Sequence, residues 1–166
     1  MVTGFDDILD RAQPFGPENG NFMQRLARPF QIVWFQLTDG RLKLFKRLHR
    51  QVVTHYRAGK SVIVDTALMD SRALLDAAKC FAPLGGFFIG VKPPLDVSEQ
   101  WEAARGDRKV GHARAHYDLI HGHGIYDLVL DPSRMTPQEC VQAIVRRVQD
   151  SPPDAFQRIK SELRTS

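Results

Sequence analysis

Cysteine is scarce in this chain. Cys80 and Cys140 are the only two among 166 residues. That excludes a disulfide scaffold, and the pair makes no zinc-type spacing with the histidines. Two thiols in a chain of this length point to a reducing cytoplasm, with both packed on helix faces. Long apolar runs are missing too: none reaches the ~18 residues that span a membrane. The start, Met1-Val2-Thr3-Gly4-Phe5-Asp6-Asp7, is acidic and short of apolar residues, unlike a signal peptide. There is no motif that reads nucleic-acid bases and no interleaving of aromatic with basic residues. The net charge of +4 is mild and allows nucleic acid on charge alone, but without such a motif nucleic acid is not the expected partner, and without an apolar run no membrane is expected.

What is present is ordinary for a globular protein. Hydrophobic residues make up 43% and charged residues 25%, enough for one domain with a proper core. The expected division is an α/β domain over residues 1–150 and a helical extension over 151–166.

Gly and Pro break the segment from Thr3 to Arg28, which reads mostly as loop with a short helix near Asp7–Ala12. Gln31-Ile32-Val33-Trp34-Phe35-Gln36-Leu37 is β-rich. Asp39-Gly40 and Arg41-Leu42-Lys43-Leu44 follow it, which predicts a small hairpin over 31–44. Phe45, Leu48, His49, Val52, Val53 and Tyr56 then recur at helical spacing, with Gly59 where a helix-ending glycine would sit. Ser61-Val62-Ile63-Val64 reads as a buried strand ending on Asp65, and Gly86 to Val91 as a second, stopped by Lys92-Pro93-Pro94. Leu128-Val129-Leu130 is a third, ending on Asp131. Helices are expected over 71–81, from Thr136-Pro137-Gln138-Glu139 (a capping box with Pro at its first position) to about 149, and around Phe156, Ile159 and Leu163, docked or free. Apolar strands alternating with helices predict an α/β fold with a mainly parallel sheet and helices on both faces. Ligands in such sheets bind beyond the strands' carboxyl ends, where Asp65, Lys92 and Asp131 sit.

Gly59-Lys60-Ser61 imitates the end of a phosphate-binding loop, G-x-x-x-x-G-K-[ST]. Its context argues otherwise. Thr54 stands where the first glycine belongs, a helix precedes it and a strand follows, the reverse of what a phosphate cradle needs. His121-Gly122-His123 offers two metal-type donors with no third in view, and reads as a capped helix end.

The run Glu102-Ala103-Ala104-Arg105-Gly106-Asp107-Arg108 is the most informative stretch. Continued through Lys109 to His116 as one helix, it places Arg105, Arg108, Lys109, His112 and His116 within an arc of about 100°. Arginine forks suit phosphate oxygens. Taken alone, the same stripe also reads as a solvated basic face.

The order of these pieces resembles the chloramphenicol phosphotransferase-like family of P-loop kinases. Val62-Ile63-Val64-Asp65, the Glu102–Arg108 run, His121, Tyr126-Asp127 and Asp131 carry the resemblance over residues 3–149. It implies a three-layer parallel sheet and transfer of a γ-phosphoryl group from ATP, with Mg²⁺, to a hydroxyl of a small antibiotic-type acceptor. It implies Asp6 as the base that takes the hydroxyl proton, with Asp7 beside it at the substrate. Asp65 would orient the magnesium shell indirectly. Arg105 and Arg108, with Lys109, would close on the phosphates. His121 and Tyr126-Asp127 would be structural or support the lid. Such chemistry needs positioning and charge neutralisation more than covalent work.

Three departures stand beside the resemblance. The family begins with a strand, a Gly-rich P-loop and a helix, and these 166 residues contain no G-x-x-x-x-G-K-[ST]. A sheet lacking that unit is expected to expose an edge that a second copy could cover. Trp101 stands where the family usually has another lid arginine, and residues 14–28, where acceptor specificity belongs, match poorly. Two other readings follow: a non-catalytic, self-associating protein of the same fold, and a basic polyanion-binding module acting through residues 105–116.

Overall fold

A computed structural model describes residues 2–4, 40–105 and 110–163. It divides into two compact units, Met1–Ala67 and Leu68–Ser166.

The first unit contains strand β1 (Val2–Gly4), helix α1 (Gly40–Arg57) and strand β2 (Ile63–Asp65). The strands pair in parallel, with Val2 opposite Ile63, Thr3 opposite Val64 and Gly4 opposite Asp65. Thr3 and Gly4 were expected in a loop. A three-residue strand is too short for periodicity to reveal, and only its partner β2 defines it.

Helix α1 begins at Gly40 and absorbs Arg41–Leu44, so the expected second arm of a hairpin is helical. The other expected arm lies outside the described residues. The reason is burial. Leu42, Phe45, Leu48, His49 and Val52 form one buried stripe at spacings of three and four, and Leu48 is fully enclosed. Full burial of such side chains stabilises by about 1.5–3 kcal/mol each, which outweighs a local turn signal. The helix ends at a left-handed Gly59, whose φ is +77°. Gly59 N–H donates to the Tyr56 carbonyl (2.9 Å) and Lys60 N–H to the His55 carbonyl (3.1 Å), a Schellman ending.

The second unit runs α2 (Ser71–Phe81), a short 3₁₀ turn (Ala82–Leu84), β3 (Ile89–Val91), α3 (Leu95–Arg105), α4 (His112–His121), β4 (Leu128–Leu130), α5 (Pro137–Asp150) and α6 (Ala155–Glu162). Strands β3 and β4 pair in parallel, Gly90 opposite Val129. The fold class is mixed α/β, helices dominate, and both strand pairs among the described residues are parallel.

The core of this unit is a small-residue helix face covered by an aromatic cluster. Ala73, Ala77 and Ala78 of α2 are completely buried, as are Ala155 and Ile159 of α6. Alanine lets the two helices approach closely. Phe156 sits edge-on to Phe81 (5.6 Å between centroids) and stacks on Phe88 (4.9 Å). Helix α6 is therefore docked. Helix α5 has the expected capping box: Thr136 Oγ1 accepts from Glu139 N–H and the Glu139 carboxylate accepts from Thr136 N–H.

Candidate functional site

The stretch read as one helix through residues 102–116 is two helices. Helix α3 stops at Arg105 and α4 starts at His112. Gly111 lies between them with φ +113°, a conformation that breaks any continuous helix and that glycine alone adopts without strain. The five cations therefore do not share one helical face. Arg105 is exposed at the end of α3. His112 and His116 follow on α4, with ring centroids 5.5 Å apart. Arg108 and Lys109 lie outside the described residues, between the two helices in sequence.

The two helices form an antiparallel hairpin. Tyr117 Oη donates to the Pro93 carbonyl (3.0 Å). Farther along, Arg114 Nε and Nη2 grip both oxygens of Glu99 (2.6 and 2.9 Å). Farther still, the Glu102 carboxylate accepts from Gly111 N–H (2.8 Å) and Ala113 N–H (3.2 Å). Partner numbers rise on α3 as they fall on α4, which is the signature of antiparallel packing. Glu102 thus supplies the negative cap that α4 lacks locally, because Gly111 has no side chain. The Gly111 N–H holds the Glu102 carboxyl below its ordinary range, with help from Ala113 and His112. Glu99 and Glu102 escaped sequence reasoning, since their partners are nine or more residues away and no local spacing marks them.

Aromatic and imidazole groups hold the foot of the hairpin. His121 Nδ1 is 2.8 Å from Tyr126 Oη, which also donates to the Ile120 carbonyl (3.3 Å). Burial pushes the Tyr126 hydroxyl up to about 12, so it stays protonated. His123 stacks on Phe88 (5.4 Å) and its Nδ1 accepts from Ile125 N–H (3.0 Å). Burial lowers the pKa of both histidines, and the Lys92 ammonium lowers them further. That ammonium lies over the Tyr117 ring, 5.5 Å from its centroid. His121 packs on Tyr117 and Tyr126, and His123 on Phe88 and Tyr126.

Asp127 has a fully buried side chain. Its carboxylate accepts from Phe88 N–H (2.8 Å), Asp154 N–H (2.8 Å), Ala155 N–H (3.1 Å) and Arg147 Nη2 (3.3 Å). The guanidinium of Arg147 also lies over the Phe87 ring, 5.2 Å from its centroid. Asp127 thereby ties the approach to β4 onto the start of α6. At the other end of β4, Asp131 turns back on its own loop and accepts from Ser133 N–H (2.9 Å) and Oγ (2.5 Å). The Ser133 hydroxyl holds its carboxyl below the ordinary range.

A model of the chloramphenicol phosphotransferase-like protein family matches residues 24–149. The chain belongs to this family. Membership places it among the P-loop kinases, a phosphotransferase-type group. No curated protein matches the chain.

The family's expected residues distribute as follows. Asp65 is exposed at the carboxyl end of β2, opposite Gly4. Asp6 and Asp7 lie outside the described residues, two and three positions past Gly4 in sequence. Trp101 is about half exposed on α3. Arg105 is exposed at the end of the first helix of the α3–α4 hairpin. Gly59-Lys60 does not form a phosphate cradle, because the N–H groups of both residues are already spent on the Tyr56 and His55 carbonyls. No nucleotide cradle exists among the described residues, and no membrane-crossing helix exists among them either.

Proposed function

We propose that this member of the chloramphenicol phosphotransferase-like family is a phosphotransferase that uses its α3–α4 hairpin as a phosphate lid. The observation that carries the reading is the hairpin itself, zipped by Glu99 and Glu102, with Arg105 at its tip and Arg108 and Lys109 next in sequence. The exposed Arg105 guanidinium at the end of a braced helix suits the neutralisation of phosphate charge.

In this reading the donor, ATP with Mg²⁺, supplies a γ-phosphoryl group, and the acceptor is a small antibiotic-type molecule with a free hydroxyl. Asp6 takes the hydroxyl proton, with Asp7 beside it. Asp65 orients the metal's water shell. Arg105, Arg108 and Lys109 hold the phosphates. The cytoplasm is where such a donor is available.

Titration of the chain with ATP and Mg²⁺ tests the proposal. Binding at millimolar concentration or tighter is expected, and Arg105→Ala should weaken it on the order of tenfold, the worth of one charge-assisted contact. No binding at millimolar ATP overturns catalysis by this chain.

A second reading, a non-catalytic protein that pairs with its own copy, draws on Val91 and Val129, which are 59% and 50% exposed on the two-stranded β3–β4 sheet. A sheet edge with no strand partner among the described residues, beside exposed valines, favours self-association. Light scattering separates the readings, since a strict monomer removes the second.

A further inference from the structure

Helix α1 carries a charge distribution that phosphoryl transfer does not use. From Gly40 to Val64 the chain has seven Lys and Arg residues and no Asp or Glu. The whole protein carries +4, so all the other residues together are net −3. At the helical period, Lys43, Lys46, Arg47, Arg50 and Arg57 fall within an arc of about 100°. The centre of that arc lies about 150° from the centre of the buried stripe. Lys46 is half-buried and the other four are exposed. No ion pair or side-chain hydrogen bond engages any of the five among the described residues.

This face is a rigid one. Its helix is fastened from behind by Phe45, Leu48 and His49 and closed by the Gly59 ending. From Lys43 to Arg57 the cations extend over about 21 Å of helix.

The kind of partner follows from what the face lacks. A helix that lies in a membrane surface inserts an apolar face, and the apolar face of α1 is already buried. A protein partner needs an apolar or aromatic centre with charge confined to the rim, and this arc is charged at its centre. A phosphodiester backbone needs neither. It presents a continuous line of negative charge that several cations engage at once, with release of counterions. The chain has no base-reading motif, so contacts of this kind position a duplex without reading its sequence. We infer that the outer face of α1 is a docking surface for the phosphate backbone of duplex nucleic acid, bound without sequence preference.

The test is fluorescence anisotropy of the full chain with a labelled mixed-sequence DNA duplex, titrated between about 50 and 200 mM salt. A Kd on the order of 10⁻⁵ M is expected, with a log–log salt slope of about −4.5 for five phosphate contacts. The triple variant Lys43→Gln, Arg47→Gln and Arg50→Gln should flatten the slope to about −2 and weaken binding at least tenfold. Glutamine favours helix, so far-UV circular dichroism should be unchanged. A control triple that removes the same charge elsewhere, Lys79→Gln, Arg146→Gln and Lys160→Gln, should keep a slope near that of the parent. Equal losses in the two triples overturn the inference, as does an unchanged slope in the α1 triple. Tighter binding to anionic phospholipid vesicles than to the duplex overturns it in favour of a membrane.

Discussion

Replacing Asp127 by alanine should be among the most damaging single changes outside the apolar core. The carboxylate is fully buried and serves three backbone N–H groups and one guanidinium. A buried donor left without an acceptor costs about 1–3 kcal/mol. Phe88 and Ala155 N–H have no ready substitute, whereas Asp154 is exposed and can turn to water. Arg147 keeps the carbonyls of Asp127, Ser151 and Pro152, so its loss is smaller than that of a fully isolated buried charge. The balance is about 4 kcal/mol for Asp127→Ala. Asp127→Asn keeps one acceptor oxygen at nearly the same volume and should cost about 2 kcal/mol. For a chain of this size, each kcal/mol lowers the melting temperature by about 2–4 °C, so alanine should lower it by about 8–16 °C. Urea unfolding followed by circular dichroism, with a calorimetric scan beside it, measures both variants. A loss below about 1 kcal/mol for alanine would show that the buried carboxylate does not organise the start of α6.

Other outcomes follow from the same contacts. Gly59→Ala should destabilise the first unit by about 1 kcal/mol, since φ of +77° strains any side chain, while Lys60→Ala should leave nucleotide affinity unchanged. Nucleotide titration of the second variant checks the claim that this glycine–lysine pair is a helix ending. His121 and His123 have folded-state pKa values below 6.5, so their contribution is complete above that value and is lost as pH falls through the lowered values. Melting temperature should drop between pH 7.5 and pH 5, and His123→Phe should flatten the profile. The Glu102 cap works above the ordinary carboxyl value of 4.5 and fails as pH falls through its lowered pKa. Glu102→Gln should therefore speed hydrogen exchange at Gly111 and Ala113 at neutral pH, and an unchanged rate would remove Glu102 as the cap.

Much of the scaffold was legible in the residues. The helix over 71–81, the Thr136–Glu139 capping box and the Gly59 helix ending rest on contacts within a few positions, strand Leu128–Leu130 on a short apolar run, and each appears in the structure. The false phosphate loop was rejected on sequence alone, and the hydrogen bonds of Gly59 and Lys60 supply the reason. The failures share another feature. Arg41–Leu44 alternates like a strand over four residues but belongs to an eighteen-residue helix with one buried face. The 102–116 stretch keeps a helical period across Gly111, where the chain instead turns.

By itself, then, the order of side chains determined the alternation of apolar strands and amphipathic helices, the parallel pairing and the family. The alternation follows from propensity, periodicity and local capping, which act over a few residues, the parallel pairing from that alternation, and the family from the order of the matching motifs. Tertiary structure decided where the basic run bends, because the cap for α4 comes from Glu102 across a turn. It also decided that Asp127 and His121 brace the fold, since their partners include groups brought close only by folding. And it turned α1 into a one-sided cationic surface, because burying Leu42, Phe45, Leu48 and Val52 leaves the opposite, basic face outward.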